Sequence, residues 1–194
     1  MPRPKSFDVD DVLDRAVDLF WVNGYAATSM EELVNHLGIN RGSLYSTFGS
    51  KQKLYERALE RYLSSGQDRF AEMITDSAIP LREAIKRLLH SSAAKTDHRG
   101  CLLVNTTMER NAIDERSLYL TSNGFDELRA ILIAAFESRR NELAEGLTPD
   151  QAADLLLVAT QGLRVIGATE SKIRADSTIQ TVLDTLTPKP PVRR

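Results

Sequence analysis

Between residues 41 and 51, Arg41, Gly42, Ser43, Tyr45, Thr47 and Lys51 bring together side chains suited to recognising a polyanion rather than transforming a substrate. A guanidinium donates in a fork to a guanine edge or to a phosphate, hydroxyls serve either, a phenol donates, and an ammonium supplies a point charge. Leu44 and Phe48 lie four residues apart and make one buried helix face, which turns the other side chains outward. Gly42 within such a helix costs about 1 kcal/mol relative to alanine. Close backbone approach to a phosphate or base edge explains the choice. A second place with chemistry is Cys101, which follows His98, Arg99 and Gly100 at the start of an expected helix. Amide dipoles and neighbouring cations there favour thiolate, the reactive form, although a cysteine in an apolar helix start is equally read as a buried small hydrophobe.

These residues need a scaffold, and the preceding stretch describes one. Thr28 and Ser29 cap a helix start, Glu31 and Glu32 occupy its first turn, and Met30, Leu33, Val34 and Leu37 follow helical spacing. Gly38 supplies a left-handed stop, Asn40 caps a second helix over Arg41 to Phe48, and Ser50 caps a third. The result is helix, tight glycine-containing turn, helix. The free amides at the Thr28 helix start form an anion site without any lysine.

The segment from about Phe7 to Arg61 resembles the DNA-binding head of the TetR family of bacterial transcriptional repressors. The resemblance is carried by Asp18-Leu19-Phe20, Asn23-Gly24-Tyr25, Ala27-Thr28-Ser29-Met30, Leu37-Gly38-Ile39, Gly42-Ser43-Leu44-Tyr45, Thr47-Phe48 and Ser50-Lys51. It implies that Arg41, Gly42, Ser43 and Thr47 approach bases in the major groove, and that Thr28, Tyr45 and Lys51 hold phosphates. Gly100-Cys101-Leu102 further resembles the context of a cysteine in the electrophile- and oxidant-sensing branch of that family, which implies Cys101 as a redox sensor. The implied function is a sequence-specific repressor of a palindromic operator, released by a small-molecule effector or, alternatively, by modification of Cys101.

Composition bounds the reading. The chain has 194 residues, 42% hydrophobic, and a formal net charge of -2. Residues 1–53 carry six cations and seven anions, so the head is not globally basic; the anions lie mostly on the first helix, while Arg3, Lys5, Arg41, Lys51 and Lys53 can converge on one surface. One cysteine and three histidines leave no disulfide framework and make a structural zinc site improbable. No cofactor is expected. The N-terminus has no apolar export core and no stretch reaches the length of a membrane span, so a cytoplasmic protein without membrane association is expected.

The expected fold is all-α: a three-helix helix-turn-helix DNA-binding head over residues 1–50, a larger helical effector-binding and dimerisation domain over 51–187, and a proline-rich flexible tail over 188–194. Beyond the head, helices are expected from Ser50 to Ile74, from Pro80 past Leu89, from Cys101 to about Ala112, over Arg116 to Glu145 with Gly124 as a possible interruption, from Asp150 to about Thr169, and from Asp176 or Ser177 to before Pro188. Apolar residues surround much of Ala152 to Ala168, so that helix needs cover on several sides. A four-helix bundle of two copies provides it, with Leu156, Ala159, Leu163, Ile179, Val182, Leu183 and Leu186 at the homodimer interface. Dimerisation also lets two heads read two half-sites about one helical turn apart. Effector-lining candidates are Phe70, Met73, Leu89, Val104, Met108, Glu109, Phe125, Leu128, Gln161 and Arg164; the last pairs with Glu109 or with an anionic ligand. Two other classes stay open: an all-helical protein-interaction adaptor, and an enzyme using Cys101 with His98 as base. The latter lacks a Gly-x-Ser-x-Gly turn, a His-Glu-x-x-His pair and a phosphate-cradling loop.

Overall fold

A computed structural model describes residues 7–94, 99–167 and 172–188, with the side chains of 166, 167, 172 and 173 excepted. His98, Arg3, Lys5 and all of the expected tail except Pro188 lie outside the described residues. Among those described there are nine α-helices and no strand: α1 (Val9–Asn23), α2 (Met30–Leu37), α3 (Arg41–Phe48), α4 (Lys51–Thr75), α5 (Leu81–Ala93), α6 (Leu102–Met108), α7 (Glu115–Ser138), α8 (Pro149–Gly167) and α9 (Lys172–Leu186). A short 3-10 turn, Arg140–Glu142, follows α7.

The chain divides into two compact units whose boundaries differ from the expected cut at residue 50. The first comprises residues 1–65 and 101–124; the second, residues 66–100 and 125–194. Helices α4 and α7 each begin in the first unit and end in the second.

In the first unit, Asp8 caps α1 by accepting the Asp10 amide at 2.7 Å. Val12, Leu13, Ala16 and Phe20 form the buried stripe of α1 and pack with Leu33, Leu37, Leu44 and Leu54 as the small core. The Phe20 ring meets Tyr55 edge-on at 4.9 Å between centroids. Arg61 of α4 grips Asp14 of α1 through two hydrogen bonds at 2.9 and 3.0 Å. Helix α6 is shorter than the sequence suggests, ending at Met108 instead of running to Ala112, because Glu109 terminates it and turns toward α1 and α2. Gly124 does not interrupt α7. A Cβ there would collide with the side chain of Leu63 and press on Leu103, so the glycine permits close approach of neighbouring elements.

The second unit holds the larger core, in which Phe70, Ile74, Ile85, Leu88, Leu89, Leu132, Phe136, Leu156, Leu163, Ile179 and Leu183 interlock. Polar clasps fasten its helices. Arg129 of α7 binds Asp154 at 2.6 Å and Asp150 at 3.0 Å on α8. Arg82 of α5 donates to Asp184, to the Thr187 hydroxyl and to the Leu183 carbonyl around the end of α9. Arg139 donates to the Asp76 and Ile79 carbonyls and to Glu142, whose carboxylate also accepts the Leu81 amide at 2.6 Å. Helix α9 starts four or five residues earlier than expected, at Lys172.

Candidate nucleic-acid interface

The two helices of the reading motif are set by their caps. Ser29, not Thr28, caps α2. Its hydroxyl accepts the Glu32 amide at 3.1 Å while the Glu32 carboxylate accepts the Ser29 amide at 2.7 Å, a reciprocal capping box. The Ser29 bonds hold the Glu32 carboxyl below its usual range. Thr28 is fully buried and donates its hydroxyl to the Gly24 carbonyl at 2.6 Å. The Thr28 hydroxyl therefore secures the preceding turn, and a phosphate expected at the Thr28 helix start would be met by backbone amides and not by this side chain. With Ser29 and Glu32 amides already bonded, Met30 and Glu31 supply the amides left at this helix start.

Gly38 turns the chain with φ +65°, in the left-handed region that a side chain would disfavour. Asn40 then caps α3, accepting the Ser43 amide at 2.8 Å. Leu44 and Phe48 are buried, whereas Arg41, Gly42, Tyr45 and Ser46 are exposed and Ser43 and Thr47 half-buried. One helix thus presents Arg41, Gly42, Ser43, Tyr45 and Thr47, with Tyr45 45% exposed despite its size. A Cβ at Gly42 would press on the Asn40 side-chain oxygen at 3.3 Å, the same oxygen that caps α3, so that the cap would have to give slightly.

Lys51 opens α4 immediately after this helix. Its ammonium sits 4.3 Å above the centre of the Tyr25 ring. Partial burial lowers its pKa, opposed by the carboxylates of Glu109 and Glu32. Tyr25 in turn packs on Tyr55, 4.9 Å between centroids. Burial pushes the Tyr55 phenol up to about 12, and its hydroxyl shares a 2.8 Å hydrogen bond with Thr106. Tyr25 and Glu109 were not singled out for this surface by sequence reasoning. The Ser29–Glu32 capping spacing was legible in the chain.

The remaining candidates separate. Cys101 is 4% exposed and accepts the Tyr62 hydroxyl at 3.8 Å, so the accessible thiolate that a sensor or a cysteine enzyme requires is not presented. Of the effector candidates, Val104, Met108 and Glu109 belong to the first unit and Phe70, Met73, Leu89, Phe125, Leu128, Gln161 and Arg164 to the second. Met108 is 80% exposed, which is unlike a cavity wall. Glu109 is engaged by the Ala26 amide at 2.7 Å, not by Arg164. Phe70 and Leu89 are core. Gln161 and Arg164 keep a distinct character, since the Gln161 Oε1 and Arg164 Nε atoms are buried without a hydrogen-bond partner.

The expected dimer face also needs correction. Leu156, Leu163, Ile179, Val182, Leu183 and Leu186 are buried in the chain's own core and Ala159 is half-buried against it. Their apolar surface is already covered. The outward apolar residues of α8 are instead Leu155, Val158 and Val165, the last two 71% and 58% exposed, with Gly162 completing a three-and-four spacing. Among the described residues, no group of three or more His, Cys, Asp or Glu is placed to hold a metal, and no helix is long and apolar enough to cross a membrane.

Comparison with known proteins bears on this geometry. Residues 12–58 match the model for bacterial regulatory proteins of the tetR family. The chain is 29% identical over 175 residues to the HTH-type transcriptional repressor ComR of Escherichia coli K12, covering 84% of this chain and 80% of that one. It is 33% identical over 98 residues to the repressor BdcR of the same organism, about half of each chain. Among solved structures, a cysteine-substituted TetR family regulator CifR in complex with 26-bp operator DNA superimposes with a TM-score of 0.76 at 27% identity, covering 95% and 99% of the two chains. Reduced E. coli NemR matches with a TM-score of 0.79 at 21% identity over 94% and 98%, a likeness of fold.

Proposed function

Because the chain belongs to the TetR family of bacterial regulatory proteins, and is a DNA-binding transcriptional regulator and not an enzyme, we propose that it works as a cytoplasmic homodimeric repressor that lays α3 into the major groove of a palindromic operator. The observation that carries this reading is the outward face of α3. It offers a guanidinium, hydroxyls and a phenol around a glycine. Arg41, Gly42, Ser43 and Thr47 then meet base edges. Tyr45, Lys51 and the amides at the start of α2 hold phosphates, which fix register without reading sequence. That ComR and BdcR are repressors and that a CifR variant is seen in complex with operator DNA support the assignment.

A second copy covers the outer stripe of α8. Leu155, Val158, Gly162 and Val165 suit a close helix-helix contact, and α8 and α9 already pack together in one chain. The effector binds in the second unit, where Gln161 Oε1 and Arg164 Nε are buried without a hydrogen bond; a ligand presenting a donor to the first and an acceptor to the second satisfies both. It releases DNA only if it binds the two states of the protein with different affinity.

The test is selection of duplexes from a random pool by the purified protein at near-physiological salt. An enriched palindrome is expected. A folded dimer that enriches nothing, at low salt as well, overturns the reading in favour of a protein-interaction adaptor.

A further inference from the structure

Glu109 belongs to neither reading helix, yet it touches the turn that sets their placement. Its carboxylate accepts the Ala26 amide at 2.7 Å, across a sequence separation of 83 residues. Directly beneath lies Gly24, with φ +78° and ψ 174°, a combination essentially reserved for glycine. A Cβ at Gly24 would collide with the Glu109 carboxylate, so the turn and the acid are fitted to each other. The Gly24 carbonyl accepts the buried Thr28 hydroxyl, which ties the same turn to the start of α2.

Three residues earlier on α6, and therefore on the same side of that helix, Thr106 shares its hydrogen bond with Tyr55. Tyr55 packs on Tyr25, whose ring lies under the Lys51 ammonium. The charge of Glu109 also reaches Lys51. Two routes thus run from the last turn of α6 into the head. One goes through backbone to α2, the other through the tilted Tyr55 and Tyr25 rings to the cation beside α3.

We infer that Glu109 is a positioning residue for DNA recognition: its hydrogen bond to Ala26 holds the turn between α1 and α2, so that the end of α6 governs the seating of the reading motif. The inference rests on the DNA-binding function above. It adds a residue outside the helix-turn-helix on whose acceptor oxygen operator recognition depends.

Glu109→Gln retains an acceptor for the Ala26 amide and loses the charge; Glu109→Ala loses both. On the palindromic duplex enriched by the wild-type protein, Glu109→Ala is expected to bind about tenfold more weakly, a hydrogen bond to a charged group being lost. Its preference for that duplex over a scrambled one should fall, and Glu109→Gln should recover affinity to within about threefold of wild type. A loss of stability alone would lower the active fraction on both duplexes alike. Amide exchange at Ala26 provides a check that requires no unstable variant: slowed exchange is expected in the wild-type and Gln proteins. Wild-type preference in Glu109→Ala, or Ala26 exchange at the rate of an unprotected amide, overturns the positioning role. Failure of the wild-type protein to select any duplex instead overturns the function on which it rests.

Discussion

Helices α3 and α8 both turn a face outward, and the two faces are chemical opposites. Around Leu44 and Phe48, α3 exposes Arg41, Tyr45 and Ser46 with a glycine between them. Around Leu156 and Leu163, α8 exposes Leu155, Val158 and Val165, also with a glycine between them. A polar face of donors is at ease in water and gains specificity only against a surface with complementary acceptors. An apolar stripe is driven to leave water whatever covers it, so it gains most from a second apolar stripe. In the proposed function the same architectural device, a helix with one side in the core, serves DNA at α3 and another copy of the chain at α8.

The contrast is broken most severely by placing a charge in the α8 stripe. Val158→Asp should convert the dimer to a monomer by sedimentation and weaken operator binding at least about 100-fold, because an unpaired carboxylate in an apolar contact costs several kcal/mol. One residue position changes the outcome class. Leu156→Ala, on the inner side of the same helix, should leave the dimer intact but lower unfolding stability by about 2–5 kcal/mol, read by denaturant titration. Should Leu156→Ala dissociate the dimer without destabilising the fold, the division between inner and outer faces of α8 is wrong.

On α3 the expected effects are smaller and separate by kind. Arg41→Ala should remove about 1–3 kcal/mol of discrimination at one base position, visible as a relaxed preference in duplex selection. Lys51→Ala should weaken every duplex alike and reduce the slope of binding against salt by about 1. Equal losses on all sequences from both changes would refute the split between base and phosphate contacts. The smallest structural effect belongs to Gly42→Ala, expected to alter thermal stability by no more than about 1 kcal/mol while weakening operator binding. Unchanged binding would show that the glycine has no role in close approach.

Much of this was legible in one dimension because its causes are local. The capping chemistry at Ser29 and Asn40, the stop at Gly38 and the four-residue spacing of Leu44 and Phe48 are decided within a turn of helix, and the structure bears out the all-helical class. Which of the adjacent hydroxyl residues Thr28 and Ser29 caps α2 was not legible, because only the fold buries the first and leaves the second to cap. Which apolar face of α8 stays outward was hidden for a related reason. A helix apolar on most sides does not announce which apolar residues its own chain will cover, and Leu156 differs from Leu155 only in what packs against it.

What the sequence alone determined was each helix's existence, the caps at Asn40 and Ser50, and the polar outward face of α3, since these follow from periodicity and nearest-neighbour hydrogen bonding. Tertiary structure alone decided that Gly124 allows close packing instead of ending a helix, that the thiol of Cys101 is enclosed, and that Glu109 reaches Ala26. Those outcomes depend on contacts between residues far apart in the chain. Their energies arise only once folding has brought the partners within hydrogen-bonding or van der Waals distance.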